Sequence, residues 1–124
     1  QVKAMFEAVI REFGKTVPIS AHFHDTRGLG LANTFAALEA GCRRFDASLA
    51  GLGGCPFAPN ATGNIVMEDL VFLLEGAGLK TGVDIDKLVE IREIIARNLP
   101  DETLYGMYAR AGAPKGFVPA SAAA

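Results

Sequence analysis

The stretch that decides the fold is Val17-Pro18-Ile19-Ser20-Ala21-His22-Phe23-His24. Its apolar first part predicts a short buried strand over 17–22, with Pro18 near the start, where the missing backbone N–H is tolerated. Apolar residues at three- and four-residue steps predict helices on both sides of it. The predicted helices cover 2–13, 31–40, 65–75 and 85–98, and a second predicted strand covers 43–49.

This alternation of helices and strands indicates a parallel sheet with helices outside it. Two architectures fit the pattern, an open doubly wound sheet and a (β/α)8 barrel. A complete barrel needs about 250 residues, whereas this chain has 124. If the fold is a barrel, we therefore expect the chain to be part of one.

Composition limits the classes of partner. Half of the residues are hydrophobic, the net charge is −2 and no Lys/Arg cluster stands out, which argues against a nucleic acid or an anionic membrane as partner. No apolar run reaches the roughly 18 residues of a transmembrane helix. Cys42 and Cys55 are spaced for neither a zinc knuckle nor a disulfide framework, so a reducing cytoplasm is the simplest setting, with Cys42 a buried free thiol.

His22 and His24 are the two histidines of the chain. Residues two apart in a strand point to the same side, with Cα atoms about 7 Å apart. Both imidazoles could therefore bind one metal ion, since histidine is the commonest side-chain metal ligand. For an isolated pair of this kind, bonding to water and backbone is the alternative. The pair lies where a strand leads into a helix, which is where active sites occur in parallel α/β folds.

The glycine-rich loop over 50–64 holds two further candidates. Cys55 follows two glycines, so it is either a partly exposed proton donor or nucleophile or an incidental loop thiol. Asn64 precedes a predicted helix and is either a site residue or an ordinary N-cap. Weaker candidates are Asp25, either a carboxylate bonded to a histidine or a simple loop carboxylate, Asn33, which could orient the histidine loop or be an ordinary polar helix residue, and Glu68. Helix-dipole placement in the first turn explains Glu68 nearly as well.

These segments together resemble the 3-hydroxy-3-methylglutaryl-CoA lyase family, one of the metal-dependent lyases and Claisen-type synthases built on a TIM barrel. The resemblance runs from about Pro18 to Leu99, and its most specific part is the glycine loop. Isopropylmalate and homocitrate synthases usually carry Gly-Glu-Arg-x-Gly-Asn there, and biotin-dependent carboxyltransferases lack Gly-Gly-Cys-Pro. The matching segments are His22-Phe23-His24-Asp25-Thr26 with Gly28, Ala32-Asn33, Ala50-Gly51-Leu52-Gly53-Gly54-Cys55-Pro56 and Gly63-Asn64.

The resemblance implies a site and a reaction. His22 and His24, at the end of the sixth barrel strand, would bind a divalent cation, and Asn64 would join them through its amide oxygen. Mg²⁺ or Mn²⁺ is favoured in the family, and Zn²⁺ is compatible with these ligands. The reaction would be cleavage of 3-hydroxy-3-methylglutaryl-CoA to acetyl-CoA and acetoacetate, a step of leucine degradation and ketogenesis. A site histidine such as His22 would accept a proton, and Cys55 would donate one.

One family motif is missing: nothing in this chain matches the Asp-Gly-x-Arg of the family's first strand. We therefore expect residues 1–99 to be the C-terminal half of a barrel that belongs to a longer parent protein, and residues 100–124 to be an extended tail. The parent is expected to be a cytoplasmic protein of bacterial type, and a mitochondrial protein is the alternative. Expected partners are an acyl-CoA substrate, the absent N-terminal half and a second copy of the protein. The chain alone is expected to be inactive. Two alternatives remain: half of a related acyl-CoA aldolase or synthase, and a small non-catalytic α/β module that binds a metal or an anion.

Overall fold

Five α-helices and one pair of strands make up the computed structural model, which describes residues 1–54 and 62–122. Two 3-10 turns, Leu49–Gly51 and Ala120–Ala122, complete the elements of these ranges. In chain order the main elements are α1 Val2–Phe13, β1 Ala21–His22, α2 Gly30–Glu39, β2 Phe45–Asp46, α3 Met67–Gly76, α4 Ile85–Asn98 and α5 Tyr108–Ala111. Within the described ranges, none of the helices combines the length and the apolarity needed to cross a bilayer.

The two strands pair in parallel, which confirms the α/β class with a parallel strand pair. Ala21 lies opposite Phe45 and His22 opposite Asp46. Both strands are shorter than the predicted 17–22 and 43–49. At the start of the first, Pro18 has no N–H to donate to a neighbouring strand.

A third extended segment, 64–66, lies beside the strand pair. Ile65 is 1 % exposed; its N–H donates to the Phe23 carbonyl at 3.1 Å, and its carbonyl accepts from the Ser48 N–H at 3.2 Å. The prediction that a helix starts at Ile65 is therefore wrong by two residues. Ile65 is held between two other segments by backbone hydrogen bonds, so α3 begins only at Met67.

The core nearest the strands is formed where α1 packs against α2. Phe6, Ala21 and Ala37 are buried there, and the Phe6 ring lies 6.0 Å from the Phe23 ring, centroid to centroid. Cys42 is buried in the same cluster, and its thiol donates to the Arg44 carbonyl at 3.3 Å. The predicted buried free thiol is confirmed.

The segment after α4 returns to α3. The Asp69 carboxylate accepts from the N–H groups of Met107 and Tyr108 at 3.0 and 2.7 Å, which satisfies donors at the start of α5. Farther along, the Phe117 ring packs on Phe72 with centroids 4.9 Å apart. The structure thus differs from the expected extended tail, because up to residue 122 this segment contains a helix and is attached to α3 by hydrogen bonds and ring packing.

Candidate functional site

The two histidines lie together at the end of β1. His22 is the last residue of that strand, and the imidazole of His24 lies 5.2 Å from it, centroid to centroid, in an edge-to-face arrangement at 66°. The His22 side chain is 55 % exposed, and His24 is half-buried. The two imidazoles therefore lie side by side, as the two-residue spacing predicts, although only His22 belongs to β1. Solvent can reach the pair through His22.

The imidazole of His22 has a carboxylate partner that sequence reasoning missed. Its Nδ1 is hydrogen-bonded to Oδ1 of Asp46, the residue opposite it in β2. Asp46 is 24 positions away in sequence, and nothing local marks it as a partner. Neighbouring parallel strands place residues directly opposite each other, which could have identified Asp46 as a partner. That inference requires the register of the two strands, which the sequence does not give.

Asn64 is fixed beside His24 by the backbone and by its own amide. The two residues form an isolated antiparallel bridge, and Asn64 Nδ2 donates to Ser48 Oγ at 3.0 Å and to the Leu52 carbonyl at 2.8 Å. The N-cap position of α3 belongs to Val66, so the interpretation of Asn64 as an N-cap is wrong. With its amide hydrogens turned to Ser48 and Leu52, the amide oxygen faces away from these partners.

Three buried side-chain atoms in this region have no hydrogen-bond partner among the described residues. They are Nδ1 of His24, Oδ1 of Asn64 and Oγ1 of Thr62. A buried polar group without a partner costs about 1–3 kcal/mol, so such groups in one place point to a missing partner. An imidazole nitrogen and an amide oxygen are both ligand types for divalent cations.

The donor set that the structure brings together therefore consists of two imidazoles and one amide. These atoms, from His22, His24 and Asn64, are of chemical types that a divalent cation accepts as ligands. In the described ranges, no three side chains of the His, Cys, Asp and Glu types gather where they could hold a metal ion. Further ligands would have to come from substrate, water or other protein segments.

A close backbone contact passes beside Asn64. A Cβ atom added to Gly63 would lie 1.7 Å from the carbonyl oxygen of Gly51, so any side chain at position 63 would collide with backbone. Gly51 also has φ +69°, in the left-handed region that favours glycine. The two glycines thus allow the segment that carries Asn64 to run directly against the start of the glycine loop.

The start of that loop is held by the buried carboxylate of Glu68, which pairs with the partly buried Arg92. Glu68 is 0 % exposed, and its carboxylate accepts from the N–H of Ala50 at 3.1 Å and from Arg92 Nη1 at 3.1 Å. Ala50 has φ 55°, a left-handed conformation that is uncommon for a residue other than glycine. Glu68 lies in the first turn of α3, as predicted, but its contacts go to the loop and to α4. Neither the burial of Glu68 nor its pairing with Arg92 follows from the sequence pattern.

Asp25 lies beside this cluster, since its N–H donates to the Gly63 carbonyl at 3.2 Å. Asp25 was expected to bond a histidine, but its Oδ1 accepts from the Gly30 N–H at 2.7 Å and so satisfies a donor at the start of α2. Asn33 is a half-buried residue of α2. Cys55 lies in 55–61, outside the residues that the structure describes.

Comparison with known proteins gives a consistent set of relatives. A model of the HMGL-like family matches residues 1–95. The hydroxymethylglutaryl-CoA lyase of Pseudomonas mevalonii is 45 % identical over 95 residues, which are 77 % of this chain and 31 % of that protein. The (R)-citramalyl-CoA lyase of Chloroflexus aurantiacus is 44 % identical over 99 residues, which are 80 % of this chain and 31 % of that protein.

A solved structure agrees with these relatives. The structure of an HMG-CoA lyase from Acinetobacter baumannii, in complex with coenzyme A and 3-methylmalate, matches with a TM-score of 0.82 and 43 % identity. The match covers 96 % of this chain and 38 % of that one. The chain thus spans about a third of the length of the relatives it matches.

Proposed function

The chain belongs to the HMGL-like family, and from that premise we propose that it carries the metal-binding part of a hydroxymethylglutaryl-CoA lyase active site. The observation that carries the proposal is the placement of His22, His24 and Asn64 side by side, with unpartnered buried polar atoms on two of them. In this proposal β1, β2 and the segment 64–66 are consecutive strands near the end of a (β/α)8 barrel. The rest of the barrel and a second copy of the protein would be its partners.

The proposed reaction breaks one carbon–carbon bond of 3-hydroxy-3-methylglutaryl-CoA. The tertiary hydroxyl loses its proton and becomes the ketone of acetoacetate, and the electron pair of the broken bond goes to the acetyl-CoA enolate. That enolate takes up a proton and becomes acetyl-CoA. A divalent cation, Mg²⁺ or Mn²⁺ with Zn²⁺ as an alternative, would supply Lewis acidity at the hydroxyl when bound.

The described residues have distinct parts in this proposal. His24 and Asn64 would hold the cation from the buried side, and His22 would hold it from the exposed side. The hydrogen bond to Asp46 occupies Nδ1 of His22, which leaves the single lone pair of Nε2 to hold the cation. Nε2 could accept the hydroxyl proton only in place of the cation. Asp25 would act indirectly, through its hydrogen bond to the start of α2, and Asn33 of the same helix would likewise act from outside the cluster.

Cys55 would be the acid that protonates the enolate, a role worth about 10²–10⁴-fold in rate for a positioned proton donor. What supports it is the loop to which Cys55 belongs. The start of the loop at Ala50 is fixed by Glu68, and Leu52 accepts from the Asn64 amide at 2.8 Å. The described start of the loop, up to residue 54, therefore lies beside the proposed metal site. A cytoplasmic location, as for a bacterial enzyme, is part of the same proposal.

The test is product analysis with the full-length gene product. We expect Mg²⁺-dependent release of acetoacetate and acetyl-CoA from 3-hydroxy-3-methylglutaryl-CoA, abolished by EDTA and restored by added Mg²⁺. Citramalyl-CoA is assayed in parallel, and its cleavage would be detected as pyruvate and acetyl-CoA. Cleavage of citramalyl-CoA alone would overturn the proposed substrate and keep the reaction type. Cleavage of neither thioester would overturn the proposal.

A further inference from the structure

We propose that Asp46 is a positioning residue that fixes the tautomer and the orientation of the His22 imidazole for metal binding. This inference rests on the proposed function, because it takes His22 as a ligand. It goes beyond that function in naming a carboxylate that acts through His22 without contacting the cation.

The geometry follows from the strand register. The parallel pairing places His22 directly opposite Asp46, at the ends of two strands that are each two residues long. An ionised carboxylate can only accept hydrogen bonds. The contact between Nδ1 and Oδ1 therefore requires the hydrogen to be on Nδ1. The other ring nitrogen, Nε2, then carries a lone pair, which is the form that a metal ligand needs.

The ring of His22 is held by a second contact as well. The His24 ring lies edge-to-face against it at 5.2 Å. Rotation of the imidazole would break the hydrogen bond to Asp46 and this ring contact together. The His24 ring that makes this contact also carries the unpartnered Nδ1. The His22 ring is therefore oriented directly beside a candidate metal-binding atom.

Stability gives little reason for this pair. The His22 and Asp46 side chains are 55 % and 59 % exposed, and exposed ion pairs contribute about 0–1 kcal/mol at most. A carboxylate bonded to the second nitrogen of a metal-binding histidine is, by contrast, a general device. Its loss typically lowers metal affinity by about 10–100-fold.

The experiment reads the tautomer directly, in the metal-free full-length gene product labelled with ¹⁵N-histidine. At about pH 8, where an ordinary histidine is neutral, long-range ¹H–¹⁵N spectra show which ring nitrogen bears the hydrogen. We expect the Nδ1–H form for His22 in the wild type. In Asp46→Ala we expect a shift to the Nε2–H form, which free histidine prefers, and a Mn²⁺ dissociation constant about 10–100-fold higher.

Glu39→Ala is the matched control, because that carboxylate is 49 % exposed and pairs with Lys3 at 3.5 Å. It should change neither the His22 spectrum nor the Mn²⁺ affinity. If Asp46→Ala does not fold, Asp46→Asn has nearly the same shape. Its uncharged amide can also donate to Nδ1, so a mixture of tautomers and weaker Mn²⁺ binding are expected.

The possible outcomes separate this inference from the proposed function. An unchanged tautomer with unchanged Mn²⁺ affinity would make the contact a simple surface pair and overturn the inference alone. An unchanged tautomer with lost affinity would make Asp46 a direct ligand and also overturn it. A wild-type protein that binds no Mn²⁺ would overturn the proposed metal site, and the positioning role would fall with it.

Discussion

Glu75 attaches the C-terminal segment to α3, and the change Glu75→Gln should show how strongly. This carboxylate is 3 % exposed. It accepts from the backbone N–H groups of Thr81 and Ser121 at 2.7 and 2.6 Å, and from both hydroxyls. Burial by itself raises the pKa of Glu75. The hydrogen bonds from Ser121 and Thr81 together lower it by more than burial raises it, so the pKa is about 2.

The size of the effect follows from this shift. The ordinary pKa is 4.5 and the pKa in the folded protein is about 2, which at 1.36 kcal/mol per unit corresponds to about 3 kcal/mol of folding free energy. Because the pKa is lower in the folded protein, the ionised carboxylate stabilises the fold. The contribution is complete well above the unfolded value of 4.5 and disappears as the pH falls towards 2.

Denaturant unfolding of the wild type and of Glu75→Gln, measured from neutral pH to about pH 2, checks this sign and magnitude. We expect the wild type to be more stable by about 3 kcal/mol at neutral pH, with the gap narrowing below the ordinary carboxyl pKa. Glu39→Gln, at an exposed carboxylate, should show no comparable pH-dependent gap. A gap that stays constant with pH, or a ¹³C titration of the Glu75 carboxyl with a midpoint near 4.5, would refute the reasoning.

Three other substitutions test the site and its supports. Cys55→Ala in the full-length gene product should lower turnover by about 10²–10⁴-fold at unchanged Mn²⁺ affinity. Retention of half the wild-type rate would contradict the acid role. The control is Cys42→Ala, at a buried thiol, which should keep turnover nearly intact. Gly63→Ala should destabilise the fold by about 1–3 kcal/mol or more, the usual cost of overpacking, because the added Cβ would lie 1.7 Å from the Gly51 carbonyl oxygen. An unfolding midpoint equal to that of the wild type would contradict this. Glu68→Gln should destabilise by about 1–3 kcal/mol, roughly the cost of leaving a buried polar group unsatisfied, since it leaves the partly buried guanidinium of Arg92 without its carboxylate; calorimetric unfolding showing no loss would contradict that role.

The helices were the part of the fold that the sequence could predict best. The apolar period and Gly14 predicted α1 with its observed bounds, and Asp84 caps α4 through a hydrogen bond from the Lys87 N–H at 3.1 Å. These features depend on residues within a turn of each other. The predicted strands were longer than the observed ones, and Ile65 and Val66 were predicted to be helical although they are extended. Both errors arise because strand pairing depends on partners distant in sequence.

The candidate site divides in the same way. The spacing of His22 and His24 was enough to predict that their imidazoles lie close together, but not that His24 falls just beyond the end of β1. The partner of His22 was not predictable, because Asp46 reaches it through the register of a different strand. The role of Glu68 was missed for a related reason, since its burial depends on Arg92 of α4 and on the left-handed turn at Ala50.

The central claim is that His22, His24 and Asn64 hold one divalent cation, and calorimetric titration of the full-length gene product with Mn²⁺ tests it most directly. We predict that His24→Ala and Asn64→Ala each raise the dissociation constant at least tenfold, which is about 1.4 kcal/mol. Asn98→Ala, at an exposed amide that bonds the Ile94 carbonyl within α4, should leave it unchanged. Dissociation constants for His24→Ala and Asn64→Ala equal to that of the wild type would contradict the account.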